Sequence, residues 1–356
     1  MANMDDLLKV GVIGAGWWGT SAHIPGIVQH EKAKLQAVQT RSIAKANKVA
    51  RDFGAELAFD DYKALIRDGD VEAVVVSSTP NVHYEQARFA LEHGKHVLME
   101  KPMTFTAREA EALCGLAEKN GLHLAVSCPW HFTPHAEAAR KVVQEGALGT
   151  VKMISILMTN PIDKLLKGID TTPTHGLEAV YVEPGKGSYS DPSVAGGGQI
   201  YVQVSHVGAY LSFLLGAKAE EVFARFDCSG SQNDIYDTLN IKMTGGILVS
   251  LASTGATPLS KKNFEIRIYG TRAILLLELW EGEMAVYPFE GAHKIYPLLS
   301  AEEIYPERAP VFNFIDTCLG TAENRSPGYL GVDAMKIIEA AVLSNKNKHV
   351  IKVKDL

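Results

Sequence analysis

The chain has 356 residues, more than one compact core normally holds, so about two domains are expected. With 46% hydrophobic residues, 21% charged residues and a net charge of −6, it is neither a disordered nor a collagen-like chain. The acidic excess and the lack of a Lys/Arg run exclude a dedicated nucleic-acid binder, leaving small molecules and other subunits as the expected partners.

Residues 1–8 include Asp5 and Asp6 and lack the basic start and apolar core of a secretory signal. Cys114, Cys128, Cys228 and Cys318 are scattered without a Cys-x-x-Cys pair, which favours a reducing, cytoplasmic location over a disulfide framework or zinc ribbon. No apolar run approaches the roughly 20 residues that a bilayer span needs, so no membrane partner is expected.

Continuous apolar runs at 9–13, 35–39, 73–77, 96–99 and 122–126 read as strands covered on both faces. Amphipathic segments lie between them, such as 42–53, stopped by Gly54, and 106–120, stopped by Gly121. Strand and helix in alternation predict βαβ units and a doubly wound parallel sheet over residues 1–127.

Beyond a helix at 135–144 the period becomes two, at 151–158, 222–226, 239–243, 247–251 and 264–268, with Gly245 and Gly246 placed for a tight hairpin. Residues 128–356 are therefore expected to form an α+β domain on a large, mostly antiparallel open sheet, with a core helix at 332–343. The Pro-, Gly- and Ser-rich stretch 160–198 is long for an idle loop and is expected to contribute to a substrate pocket.

The first strand runs into Gly14, Gly16 and Gly19, the Gly-x-Gly-x-x-Gly spacing at a strand-to-helix turn. Gly14 permits the turn, Gly16 the approach of a pyrophosphate and Gly19 close helix packing, while Trp17 and Trp18 are placed to flank the nucleotide. An NAD site usually has an acidic residue at the end of the second strand. Here Thr40, Arg41 and Ser42 stand there instead, a hydroxyl and guanidinium set suited to a 2′-phosphate, so NADP is expected, with NAD as the alternative.

Ser78, Thr79, Pro80, Asn81 and His83 follow the strand at 73–77, and Glu100-Lys101-Pro102 closes the next. With the glycine loop, these stretches resemble the glucose-fructose oxidoreductase / inositol dehydrogenase / MocA (Gfo/Idh/MocA) family of nucleotide-dependent sugar and cyclitol oxidoreductases. The resemblance implies a catalytic role for Lys101, a place for Glu100 beside the nicotinamide ribose, cofactor contacts from the 78–83 stretch and a homo-oligomer built through the second-domain sheet.

In that family a Gly-Gly-Gly segment is followed by an Asp and, four residues later, a His. On this chain Gly196-Gly197-Gly198 precedes His206, but Val202 stands at the Asp position. The resemblance thus implies that His206 carries the proton without the aspartate. Tyr201 and Gln203 are expected to orient it or bind substrate, with Trp130, His131 and Asp191 as further substrate contacts. His131 and His135 have metal-pair spacing, but Pro134 intervenes and no third ligand is evident, so no metal is expected. The predicted activity interconverts an alcohol and a ketone, or an aldose and a lactone, on a sugar or cyclitol. Its rivals are a glycosidase that retains its nicotinamide and a nucleotide-binding sensor without turnover.

Overall fold

The computed structural model describes residues 7–169, 181–185 and 187–356. β1 (Leu8–Ile13), β2 (Ala33–Gln39), β3 (Leu57–Phe59), β4 (Ala73–Val76), β5 (His96–Met99) and β6 (Leu124–Val126) form a wholly parallel sheet in the order β3-β2-β1-β4-β5-β6. Its central strands are buried on both faces because their side chains are mostly apolar; all four residues of β4, Ala73–Val76, are inaccessible. The strand order reverses between β1 and β4, and a doubly wound sheet opens its ligand crevice at such a point.

The second sheet contains β7 (Val151–Thr159), β8 (Ala219–Asp227), β9 (Tyr236–Met243), β10 (Ile247–Thr254), β11 (Asn263–Gly270), β12 (Ala273–Glu278), β13 (Glu283–Pro288), β14 (Lys294–Ile295) and β15 (Ile351–Lys352). Its order is β14-β13-β12-β11-β7-β10-β9-β8-β15, antiparallel throughout except where β10 lies parallel to β7. Burial alternates strictly along β9 and β10, as the period of two predicts. The hairpin between them turns at Gly245 and Gly246, both at positive φ. The inner face packs into one core with the helices Val204–Leu215 and Gly328–Asn347, the second of which extends the predicted 332–343 segment at both ends.

Two features go beyond the sequence reading. The segment after the glycine turn is a short π-helix, Gly19–His23, continued by the helix Ile24–Gln29. Near the C-terminus, the helix Ala309–Cys318 buries Val311, Phe314 and Ile315 among Val10, Val12 and Val75 of the first sheet. Ser326 and Pro327 then pair with β6, where Val126 N donates to the Ser326 carbonyl at 2.8 Å. The polypeptide therefore returns to the nucleotide-binding side after completing most of the second sheet.

Candidate active site

At the end of β1 the chain turns at Gly14, φ +77°, where a Cβ would lie 2.5 Å from the Ser78 amide. Gly14 N donates to both the backbone carbonyl and the Oε1 of Gln39, each at 3.1 Å, which ties the turn to the end of β2. Gly16 faces open space: the nearest atom to a Cβ there would be the Gly14 carbonyl oxygen, 3.9 Å away. Gly19 sits behind the turn, 3.1 Å by the same measure from that oxygen, and supports the loop without lining the cavity. An open backbone at Gly16, followed by a helical turn whose first amides have no partners along the helix, fits a dinucleotide pyrophosphate.

A cavity of about 1370 Å³ extends from this loop across the carboxyl ends of β2, β4, β5 and β6 to the second sheet. Gly14, Gly16, Trp17, Trp18, Thr40, Arg41, Ser42, Ser78, Thr79, Pro80 and Asn81 all line this cavity. Thr40 Oγ1 donates to the Ser42 carbonyl at 2.8 Å and accepts from Ser42 N at 3.3 Å. That arrangement holds the turn so that exposed Arg41 stands at the rim, beside Lys45. Ser42 precedes the helix Ile43–Phe53 without a side-chain capping bond.

Glu100 and Lys101 leave β5 into the middle of the cavity, and the Lys101–Pro102 peptide is cis. Glu100 is buried, and its Oε1 lies 2.7 Å from His23 Nε2. Burial alone pushes the Glu100 carboxyl up; the His23 hydrogen bond and the neighbouring ammonium outweigh it and hold the pKa below the usual value. Burial pushes the Lys101 ammonium the opposite way, below its ordinary pKa, with the Glu100 charge resisting. Lys101 Nζ donates to the backbone carbonyl of Val202 at 3.2 Å.

His206 reaches the same cavity from the first turn of Val204–Leu215 and is 3% exposed, its ring edge-on to Trp130 at 5.0 Å between centroids. Gln203, also buried, lines the wall beside it. A network from the approach to β9 and from β10 holds this segment. Asp234 accepts from Gly198 N at 2.9 Å and from Ile200 N at 2.7 Å, and Gln199 Nε2 donates to Ser253 Oγ at 2.8 Å. Gly198 is required because a Cβ there would lie 2.1 Å from the Asp234 carbonyl oxygen.

Four expected contacts lie elsewhere. His83 is buried behind the cavity, hydrogen-bonded to the carbonyls of Pro102 at 2.9 Å and Ser78 at 3.1 Å, so it joins the β4 and β5 exits. His131 turns into the second-domain core, stacked on Phe213 at 4.8 Å and bonded to Ser326 Oγ at 2.9 Å; burial pushes its pKa down to about 3. Tyr201 is held between the Gly196-Gly197 backbone and Phe105, with its hydroxyl donating to the Phe105 carbonyl at 3.3 Å. Asp191 is exposed and caps the short helix Pro192–Ala195 by accepting from Ser193 N at 2.9 Å. None of the four lines the cavity.

Several lining residues have no signature of their own in the sequence. Asn160, Tyr189, Lys262, Trp280 and Tyr305 come from separate connections, and His23 secures Glu100 from behind. Residues 181–185 of the long Pro- and Gly-rich stretch also reach the cavity: Tyr181 OH donates to Asp52 Oδ2 at 2.5 Å and accepts from Lys48 Nζ at 2.7 Å. Residues 170–180 and 186 of that stretch lie outside the described residues. Among the described residues no cluster of three or more His, Cys, Asp or Glu could hold a metal, and His135 Nε2 is bonded to the Gly282 carbonyl at 3.0 Å. No helix of the described residues is long and apolar enough to cross a membrane.

A glycine turn on a parallel sheet faces a half-buried lysine and a histidine carried by a helix that packs on a second, open sheet, the arrangement of the dinucleotide-binding oxidoreductases. Residues 8–128 match the model of the oxidoreductase family with an NAD-binding Rossmann fold, and residues 136–276 match that of the GFO/IDH/MocA C-terminal domain. The chain belongs to the Gfo/Idh/MocA family. It is 31% identical over 209 residues to an uncharacterized oxidoreductase of Synechocystis sp., covering 59% of this chain and 52% of that one. It is 29% identical over 151 residues to the scyllo-inositol 2-dehydrogenase (NADP(+)) of Bacillus subtilis, covering 42% and 41%. It is 32% identical over 148 residues to D-xylose 1-dehydrogenase (NADP(+)) 2 of Haloferax volcanii, covering 42% and 45%. The matches thus span about half the length of these curated relatives. Solved structures share the whole fold: an oxidoreductase domain protein from Kribbella flavida at TM-score 0.83 and 21% identity, covering 98% of this chain and 99% of that one, and levoglucosan dehydrogenase in complex with NADH at 0.81 and 19%, covering 97% and 99%.

Proposed function

We propose that the protein is an NADP(H)-dependent oxidoreductase that interconverts an alcohol and a ketone, or an aldose and its lactone, on a sugar, sugar derivative or cyclitol. The observation that carries this reading is the meeting of Lys101, Glu100 and His206 on one cavity whose other end is the glycine turn. The nicotinamide supplies the site that accepts or releases hydride. Gly14, Gly16 and the helix start behind them hold its pyrophosphate, and Thr40, Arg41 and Ser42 receive a 2′-phosphate.

Lys101 donates to the reacting oxygen and favours the negative charge that develops there as hydride leaves or arrives. His206 takes or returns the hydroxyl proton. Glu100, held by His23, keeps the ammonium oriented toward the second-domain wall. Met153, Leu157, Tyr236 and Leu248 are exposed on the second sheet, and this apolar face supports a homo-oligomer formed through it.

The test is a panel of sugars, inositols and keto sugars with NADP(H) and NAD(H), followed by product identification. Turnover with a polyol, faster with NADP(H), is the expected result; cofactor binding without turnover across the panel would instead fit a sensor.

A further inference from the structure

We propose that the sugar this cavity accepts carries an anionic group and that Lys262 is the residue that recognises it; the inference rests on the reading of the site as that of a sugar oxidoreductase. A continuous aromatic wall leads from the reacting residues to this lysine. Trp130 lies edge-on to His206 at 5.0 Å, Trp280 edge-on to Trp130 at 5.0 Å, and Tyr305 stacks on Trp280 at 5.5 Å. Lys262 Nζ stands 3.8 Å above the Trp280 ring, and all of these residues line the one cavity. Aromatic faces suit the C–H face of a pyranose or cyclitol ring, and the cation lies at the far end of that platform from His206.

Among the cations of the cavity, Arg41 and Lys45 stand at the nucleotide rim and Lys262 on the aromatic wall. Glu100 is engaged by His23. Glu307 also lines the cavity, but its Oε1 lies 3.8 Å from Arg308 Nε. Glu281 faces Lys262 from the adjoining turn without forming an ion pair, so among the described residues Lys262 has no carboxylate partner. Partial burial pulls its ammonium below the usual lysine value, the response of a cation short of compensation.

The wall also holds three buried polar atoms without hydrogen-bond partners among the described residues: Asn160 Oδ1, Trp130 Nε1 and Trp280 Nε1. Those atoms are sealed from solvent, so the charge that a neutral sugar leaves unmet is that of Lys262. A carboxylate and a phosphate monoester both meet it, because an ammonium acts as a point charge without the bidentate preference of arginine.

The experiment measures kcat/KM with matched sets of a hexose, its uronate and its terminal phosphate ester, for the native protein, Lys262→Met and Lys262→Arg. The native protein should favour one of the anionic sugars over the neutral parent by about tenfold or more, the scale of a charge-assisted hydrogen bond. Whether the uronate or the phosphate gains identifies the source of the charge. In Lys262→Met, whose side chain still covers Trp280, the ratio should fall toward one, chiefly through KM; Lys262→Arg should retain it. A native ratio of one or below, or an unchanged ratio in Lys262→Met, would overturn the inference and leave the oxidoreductase reading standing. If no sugar in the panel is turned over, the oxidoreductase reading fails, and calorimetric binding of the uronate and phosphate ester to the NADP-loaded protein decides the inference. Binding lost in Lys262→Met supports it; absent or unaltered binding overturns it.

Discussion

Lys101 Nζ donates to the backbone carbonyl of Val202 at 3.2 Å, so the position where family members commonly carry an aspartate holds the lysine through its main chain. The Val202 side chain packs with Ile162, Leu166 and Ile235, which leaves the carbonyl as the polar surface offered to the ammonium. Lys101→Met should remove both this bond and the donor to the reacting oxygen. We expect kcat to fall by about 10²- to 10⁴-fold, with NADPH affinity measured by fluorescence titration nearly unchanged. Near-normal turnover would remove Lys101 from the chemistry.

The half-buried Lys101 ammonium also sets a pH dependence. Its pKa is lowered by burial, so the protonated form is lost below the usual lysine range as pH rises. The kcat/KM profile should therefore have an alkaline limb below about 10.4, the ordinary lysine value, and that limb should be absent from the residual activity of Lys101→Met. A limb that persists in the variant would assign the ionisation to another group.

Arg41 offers the test of cofactor choice. It is exposed at the nucleotide rim and makes no ion pair with another described residue, so Arg41→Ala should leave the fold intact. Loss of a guanidinium–phosphate contact should raise KM for NADPH by about tenfold or more while KM for NADH changes little. Equal effects on the two cofactors would place Arg41 outside the 2′-phosphate site.

The His23–Glu100 pair is buried, so breaking it should cost stability as well as rate. His23→Ala leaves the Glu100 carboxylate buried without its main partner and should destabilise by about 1.5 to 3 kcal/mol, read from denaturant midpoints. A change below about 1 kcal/mol, the range of exposed pairs, would show that water replaces the imidazole.

Beneath the Gly198–Val202 segment, Asp237 lies beside Asp234, and burial and then the neighbouring carboxylate push its pKa up to about 10. A native pKa above the unfolded one means that the folded state binds the extra proton, so this contribution is complete below the unfolded value near 3.9 and is lost as pH rises toward about 10. Asp237→Asn should flatten the fall in stability between neutral and alkaline pH by up to about 1.4 kcal/mol per pH unit. Denaturation series at several pH values read this directly, and identical slopes in the two proteins would refute it.

How much of this was legible in the sequence depended on whether neighbours in the chain were also neighbours in space. The central strands of the first sheet were clear because burial on both faces demands unbroken apolar runs such as Ala73–Val76. The glycine turn was clear because its geometry excludes side chains. Lys101 could be found because a distinctive tripeptide at a strand end carries it.

Trp130 and His131 show where such reading stops. Both lie in the single turn Pro129–Phe132, yet one faces the cavity and the other the core, a half-rotation that no periodicity encodes over four residues. Asp191, expected as a substrate contact, caps the short helix Pro192–Ala195. The aromatic wall joins residues 130, 280 and 305, which only the folded second sheet assembles. His23 carried no signal, since its partner Glu100 lies 77 residues away.

The central claim is that the Lys101 and His206 cavity exchanges hydride between a bound nicotinamide and a sugar alcohol or ketone. Its most direct test follows NADPH absorbance across the panel of sugars, inositols and keto sugars, with the native protein and Lys101→Met assayed side by side. The account predicts substrate-dependent oxidation or formation of NADPH by the native protein, reduced at least about 10²-fold in a variant that still binds the nucleotide. Binding of NADPH with no substrate-dependent turnover by either protein, or equal turnover by both, would contradict it.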